Sequence, residues 1–369
     1  MTDKRLRVGF VGGGSNSAVG KVHLSALLLQ NRFDIVGGVF SRDPKVNKDS
    51  AEFYCCDPEK SFDTPADLIS SVDVDALVIL VPTPQHHEVI AGAANTPVSL
   101  ICEKPLLSSL SEWRTINEIG LPAHKLISTY NYTGYPMVRE ARALIKAGKL
   151  GRVLQVLVEM PNEGLIRPPR IGGVASKVQA WRLVDPPIPQ ALLDLTTHAI
   201  QLLRFTTGDE IKLAKSLITN QTKHSDIRDT SFIIGALSSG ASFSIWTTKS
   251  ALGERNGLSF RIFCEAGSLH WRQTNPEILV WVDCDGVRRE LDRNNAYEEA
   301  HKPRYERFKV GHPAGYIEAF ANYYEDIYNV VSGRGRDDSE GFLFGMKDAF
   351  EELQVLESLS KSGEYERTI

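Results

Sequence analysis

The sequence predicts an α/β protein: a doubly wound parallel sheet at the N-terminal end, then an α+β domain with an open, mostly antiparallel sheet. Three observations carry that expectation. The first hundred residues alternate between short apolar runs and helix-period segments, the pattern of βα units joined by right-handed crossovers. A glycine-rich stretch from Gly12 to Gly20 stands at the first strand-to-helix turn. Beyond residue 150, strand-like stretches succeed one another with few helices between them, as antiparallel sheets allow.

The elements follow in order. Leu6 to Val11 is a short apolar run ending in glycines, which suits a strand buried on both faces. Val22 to Leu29 reads as a helix, Phe33 to Phe40 as a strand, Ala66 to Ser70 as a short helix and Asp75 to Val81 as another buried strand. His87 to Ala94 is helical in pattern, and Val98 to Cys102 is again a strand. Pro136 to Ala147 has Pro at its start and Gly148 after its end, as helix termini prefer. Strand patterns then run over Arg152 to Glu159, Leu213 to Thr219, Ser231 to Leu237, Ala241 to Thr248, Leu258 to Cys264 and Ile278 to Cys284. Two amphipathic helices close the chain, around Tyr316 to Val331 and Leu343 to Leu356. The boundary is expected near Ile127, giving a nucleotide-binding domain over 1–127 and a substrate-binding and oligomerisation domain over 128–369, whose last helices can pack back on the first domain. The Gly- and Pro-rich stretch from Leu165 to Pro189 reads as a long loop, and such loops are often functional.

Composition narrows the function classes. With 42 Lys and Arg against 46 Asp and Glu, the net charge is −4 and no long basic run is present, so neither nucleic acid nor an anionic membrane is the expected partner. The longest apolar stretch, Ala76 to Pro82, is far short of a bilayer span. Five cysteines without C-x-x-C spacing read as reduced thiols, and adjacent Cys55 and Cys56 make a poor disulfide pair and a poor metal clip. A cytoplasmic protein is expected. No cluster has zinc spacing, and neighbouring His86 and His87 cannot both point one way, so no metal is expected.

Four segments carry chemistry. A dinucleotide pyrophosphate needs glycines at a strand-to-helix turn, for the tight bend, for close backbone approach and for helix packing. Gly12, Gly14 and Gly20 are placed for this, although Gly14 and Gly20 stand six residues apart where the common fingerprint has three. Ser15, Asn16 and Ser17 in the longer loop can add hydrogen bonds to phosphate. At the end of the second strand an NAD site usually has an acid for the ribose 2′-hydroxyl; here Ser41 and Arg42 stand there and Asp43 comes late. Arg42 can stack on adenine or pair with a 2′-phosphate, which tilts the expectation toward NADP within NAD(P); a solvated loop arginine is the plain alternative.

Glu103, Lys104 and Pro105 follow the strand ending at Cys102, and in doubly wound sheets ligands bind beyond the carboxyl ends of strands. Pro105 restricts Lys104 to extended geometry. An ammonium there can hydrogen-bond a substrate hydroxyl; a surface charge pair is the plain alternative. Asp194 and His198 lie four apart on a helix expected from about Leu192 to Phe205, so carboxylate and imidazole share a face and suit proton transfer; an incidental ion pair on the helix surface is the plain and commoner alternative.

Taken together, these segments resemble the Gfo/Idh/MocA family, named for glucose–fructose oxidoreductase, inositol dehydrogenase and a rhizopine-catabolism protein, over nearly the whole chain. Gly12 to Gly20 with His23 resembles its N-terminal Rossmann fingerprint in a longer-loop form. The segment Val81 to His86 is similar to its T-P-N-x-x-H stretch, which implies that Pro82, Thr83 and His86 border the cofactor together with Glu103 and Lys104. Glu103 to Pro105 is similar to its E-K-P motif, Asp194 to His198 to its D-x-x-x-H motif, and Tyr130 to Pro136 to the segment opening its second domain.

The resemblance implies roles. Lys104 would lie between cofactor and substrate, His198 would take the hydroxyl proton, and Asp194 would orient it or bind substrate. Hydride would pass between the carbinol carbon and nicotinamide, and Tyr132, Tyr135, Trp181 and Arg182 would line the substrate wall, with core packing or a loop ion pair as the alternative for those four. Two departures stand out: Thr196 where the family usually has Gly, and Gln201 where it often has Asp. The approach to Asp194, Pro186 to Leu192, also lacks the usual glycines.

The expected function is therefore NAD(P)-dependent oxidation of a secondary hydroxyl, or reduction of the ketone, in a sugar, sugar derivative or cyclitol. A lyase or glycosidase using transient oxidation, and a non-catalytic NAD(P)-binding sensor, are the competing readings. A homodimer or homotetramer is expected from the open sheet.

Overall fold

The computed structural model describes residues 4–167, 170–171, 174–175, 183–223, 227–334, 339 and 341–367. They form two compact units: Met1–Gly134 with Tyr316–Phe350, and Tyr135–Gly315 with Glu351–Ile369. No described helix is long and apolar enough to cross a membrane. All five cysteines are free thiols.

The first unit is built on a five-stranded sheet ordered β2-β1-β3-β4-β5, with β1 (Leu6–Gly12), β2 (Phe33–Val39), β3 (Ala76–Leu80), β4 (Ser99–Glu103) and β5 (Leu126–Thr129). Every pairing is parallel. Val8, Phe10, Leu77, Val78, Ile79, Leu100, Ile101 and Cys102 are fully enclosed, as their unbroken apolar runs require when helices cover both faces. The order reverses between β1 and β3, so a crevice opens beyond the carboxyl ends of those strands.

The helices of this unit have local start signals. In α1 (Ala18–Gln30) the cap is Ser17, and Asn31 closes the C-terminus in the left-handed conformation. Asp43 caps α2 (Pro44–Phe53) and Thr64 caps α3 (Pro65–Ser71), each followed by proline at the first helical position. The run His86–Ala93 forms α4, and Ser109 with Glu112 opens α5 (Leu110–Ile119). The apolar pattern of the sequence does not show α2, α5 and β5: α2 and α5 lie mostly on the surface, so their apolar periodicity is faint, and β5 has only four residues.

The second unit holds a nine-stranded sheet ordered β15-β14-β13-β12-β6-β11-β10-β9-β16. Its strands are β6 (Val153–Pro161), β9 (Ile211–Thr219), β10 (Thr230–Leu237), β11 (Ser242–Thr248), β12 (Ser259–Cys264), β13 (Gly267–Arg272), β14 (Leu279–Asp283), β15 (Arg288–Leu291) and β16 (Glu364–Glu366); Arg170–Ile171 and Val174–Ala175 pair as β7 and β8. Only β6 and β11 run parallel; the rest are antiparallel, as expected from the sequence. One face packs on α6 (Pro136–Lys146) and α7 (Thr197–Thr207), burying Val156, Val158, Ile233, Ile245, Phe260, Ile262 and Trp271. Leu213, Leu217, Phe232 and Ile234 project from the other face and are exposed. The chain closes with α8 (Tyr316–Ser332), which returns to the first unit, and α9 (Met346–Ser362).

Candidate functional site

The loop after β1 is shaped by three glycines. Gly12 and Gly13 have φ of +85° and +75°, in the left-handed region. A Cβ on Gly12 would lie 2.7 Å from the Leu80 backbone, and one on Gly20 only 2.4 Å from the Gly13 carbonyl oxygen. At both positions a side chain has no room, because the backbone passes close to β3 and α1 packs close against the loop, which are two of the tasks glycines have in a dinucleotide fingerprint. Gly14, one of the three glycines the spacing singles out, is less tight, with its nearest neighbour at 3.3 Å, and Gly13 is not among those three. The Ser17 hydroxyl accepts from the Gly20 amide and so starts α1, while the Ser15 amide donates to Ser50 Oγ. Asn16 is exposed at the tip of the loop. Beneath it, Tyr54 donates to the Gly13 carbonyl at 2.6 Å and stacks on Phe40.

The ends of β2, β3 and β4 are tied to one another. Asn47, buried at the start of α2, accepts from the Phe40 and Ser41 amides and fixes the turn after β2. The Asp43 carboxylate accepts from the Lys45 and Val46 amides and is committed to the α2 cap. Arg42 extends from the exposed turn to Gln85 Oε1 at 3.1 Å. His86 is buried, with Nε2 3.0 Å from the Val81 carbonyl and Nδ1 3.0 and 3.2 Å from those of Pro105 and Leu106. Burial lowers its proton affinity, against the pull of those carbonyls and of Glu103. His86 thus pins the Lys104–Pro105 turn to the end of β3, a structural task that its lone side chain did not announce. Thr83 is buried beside it and Pro82 half-buried.

Glu103 ends β4, and Lys104 follows it, half-buried, before the cis Lys104–Pro105 bond. The Glu103 carboxylate accepts from His23 Nε2 at 3.0 Å and from the Thr129 hydroxyl. His23 Nδ1 lies 2.5 Å from the Tyr324 hydroxyl on α8. Burial works to raise the Glu103 carboxyl, but His23, Thr129 and the charge of Lys104 together hold it below the usual carboxylate range.

In the second unit, Asp194 lies in a π-helical turn, Leu192–Thr196, that runs into α7, and His198 stands buried in the first turn of that helix. The sequence expected one α-helix here. A π turn widens the spacing and so changes which faces residues four apart present, and such turns are frequent at functional sites. Asp194 Oδ2 accepts from Lys249 Nζ at 2.5 Å, a partner 55 residues away that no local pattern pointed to. Tyr132 is buried with its ring 6.3 Å from that of Tyr316. Tyr135 is buried against Trp271, with ring centroids 5.2 Å apart. Trp181 and Arg182 lie outside the described residues. Among those described, no three His, Cys, Asp or Glu side chains are grouped to hold a metal.

Two family models match the chain: residues 6–131 match the Gfo/Idh/MocA oxidoreductase model described as an NAD-binding Rossmann fold, and 138–270 match a Gfo/Idh/MocA C-terminal domain. The chain belongs to the Gfo/Idh/MocA family. Among relatives of this family member, the uncharacterized oxidoreductase YfiI of Bacillus subtilis is 27% identical over 92% of this chain and 89% of its own. Glucose-6-phosphate 3-dehydrogenase of the same organism is 23% identical over 75% and 77%. An inositol dehydrogenase homolog from Azotobacter vinelandii, solved with NADH and myo-inositol, superposes with a TM-score of 0.86 over 99% of this chain and 98% of that one, at 24% identity. That likeness is one of fold.

The departures of this Gfo/Idh/MocA protein from the usual D-x-x-x-H surroundings have local explanations. The Thr196 hydroxyl lies 2.7 Å from that of Thr247 and 3.3 Å from that of Ser231, in a buried hydroxyl cluster joining the π turn to β10 and β11. A glycine could not make those bonds. Gln201 donates to Glu352 and accepts from Arg204, which also pairs with Glu210. An aspartate at 201 would face the Glu352 carboxylate at close range, and like charges in a buried setting repel.

Proposed function

We propose that this protein moves a hydride between NAD(P) and a secondary hydroxyl or ketone of a sugar, sugar derivative or cyclitol. The observation that carries the reading is the placement of Lys104: a half-buried lysine on a turn pinned by His86, at the carboxyl end of a parallel strand, on the same edge of the sheet as the glycine loop. Family membership and the names of the relatives support the substrate class. The Gly12–Gly20 loop, Ser41, Arg42, Pro82 and Thr83 are the residues proposed to hold the dinucleotide; when bound, it supplies the two-electron acceptor. Lys104 then donates a hydrogen bond to the substrate oxygen and steadies its developing negative charge. His198 takes the hydroxyl proton, and Asp194, held by Lys249, orients the reacting groups. Absorbance at the reduced-nicotinamide band, with NAD and NADP across sugars, sugar acids, amino sugars and inositols, tests this. A rise with one class supports the reading; a flat panel with cofactor binding intact overturns net dehydrogenation in favour of transient oxidation or sensing.

At the end of β2 the cofactor choice tilts to NADP, because Asp43 is committed to capping α2 while Arg42 and Ser41 remain at the turn. Arg42→Ala is expected to raise the Kd for NADPH about 10- to 100-fold, as loss of a charge-assisted bond does, and to leave NADH nearly unchanged. Fluorescence titration reads both, and an equal loss for the two cofactors removes the 2′-phosphate assignment.

The exposed sheet face is proposed to pair with a second copy of the chain. Leu217, Phe232 and Trp246 form one cross-strand row, with the Phe232 and Trp246 rings stacked at 6.2 Å, and Ile234 stands beside them. Phe232→Glu with Ile234→Glu is expected to convert the oligomer to monomer in light scattering; a wild-type monomer, or an unchanged assembly in the variant, refutes the surface.

A further inference from the structure

We propose that Tyr324 and His23 are positioning residues for Lys104, acting through a buried hydrogen-bonded chain, Tyr324–His23–Glu103, that fixes the Glu103 carboxylate as a counter-charge beside the lysine. The inference rests on the reading that Lys104 acts on the substrate oxygen. His23 and Tyr324 are fully enclosed.

The geometry sets the direction of each bond. A carboxylate only accepts, so the His23 proton on the Glu103 side is on Nε2, 3.0 Å from Oε1. In the neutral imidazole Nδ1 is then the accepting nitrogen, and the Tyr324 hydroxyl 2.5 Å away donates to it. Burial pushes the Tyr324 phenol well above its ordinary range, so it keeps that proton. Tyr324 therefore selects the tautomer of His23, and the tautomer decides whether His23 presents a donor or a lone pair to Glu103. The ring is held edge-on by Phe320 and Tyr324 from α8, which leaves it little room to turn. The titratable and charged groups around Glu103 are His23 from α1, Tyr324 from α8, His86 from α4, and Cys102 and Lys104 on its own strand and turn, with the Thr129 hydroxyl from β5. Lys104 is the cation in that set nearest the proposed chemistry. A well-held Glu103 charge stands against that of the lysine and keeps the turn in one geometry.

The test compares Tyr324→Phe, His23→Gln, Glu103→Gln and Lys104→Ala with the wild type. Tyr324→Phe removes one hydroxyl and keeps the ring packing. It is expected to lower kcat about 3- to 10-fold with KM little changed, and to move the basic limb of the kcat/KM profile down by roughly half to one pH unit. Glu103→Gln moves the same limb further. The double variant Tyr324→Phe with Glu103→Gln shows no shift beyond that of Glu103→Gln alone, because both act through one carboxylate. His23→Gln, which can still donate to Glu103, moves the limb less than Glu103→Gln does. A structural role alone would lower thermal stability, leave the limb in place and give additive effects. If Lys104→Ala is inactive but Tyr324→Phe leaves the profile unmoved or adds to Glu103→Gln, this inference fails while the reading of Lys104 stands. If Lys104→Ala turns over normally, both fall.

Discussion

Lys104→Ala is expected to lower kcat about 100- to 10 000-fold, the range that a positioned proton-handling or charge-stabilising group supplies. Cofactor affinity should change by less than about 3-fold, because the glycine cradle and the β2 turn are built from other residues. The Lys104 side chain starts from a turn that His86 bonds to the end of β3, so truncating it removes the amine and leaves the turn in place. The two constants separate the roles. A loss confined to kcat assigns the amine to the transition state, a loss confined to KM assigns it to uniform substrate binding, and unchanged turnover removes Lys104 from the mechanism. Cofactor binding is read independently by fluorescence titration.

Glu140→Gln is expected to destabilise the second unit by about 3–5 kcal/mol, the cost of breaking a buried charged network. Glu140 on α6 has no exposed surface. Its Oε1 accepts from the Tyr297 and Glu298 amides at 2.8 and 3.0 Å, and its Oε2 from those of Glu299 and Ala300 at 2.7 and 2.9 Å. Successive backbone N–H groups in this arrangement make a concave site for an anion, and here the protein fills it with its own side chain. A glutamine would turn an NH2 group toward amides that also donate. Denaturant unfolding followed by tryptophan fluorescence measures the loss; a midpoint equal to wild type would mean that water satisfies those amides. The Arg139–Tyr305–Glu299 contacts beside it make the segment a single packed unit, so the effect should reach beyond one residue.

Sequence patterns were most informative where the physics is local. Buried parallel strands are continuous apolar runs, and β1, β3 and β4 were found within a residue or two of their ends. The helix α5 was passed over although Ser109 and Glu112 form a start signal three residues apart, because a single apolar position, Ile116, is buried along it. In α2 the signal was Asp43 followed by Pro44, and the same Asp43 bears on cofactor choice because the cap occupies its carboxylate. The glycine loop is legible in the sequence, yet spacing singles out Gly14 over Gly13, since the tight position depends on Leu80 and Tyr54 coming close from elsewhere.

The sequence by itself determined the class of the fold and the family, and pointed to the segments proposed here to carry the chemistry, because strand alternation, turn glycines and short motifs are properties of neighbouring residues. Only the tertiary structure decided how those segments are supported. His23 and Tyr324 are 301 residues apart, Asp194 and Lys249 are 55 apart, and Glu140 meets its amides 157 to 160 residues further along. Each of these is a buried or half-buried polar group that needs a partner when water is excluded, and the chain gives no local sign of which partner folding will bring.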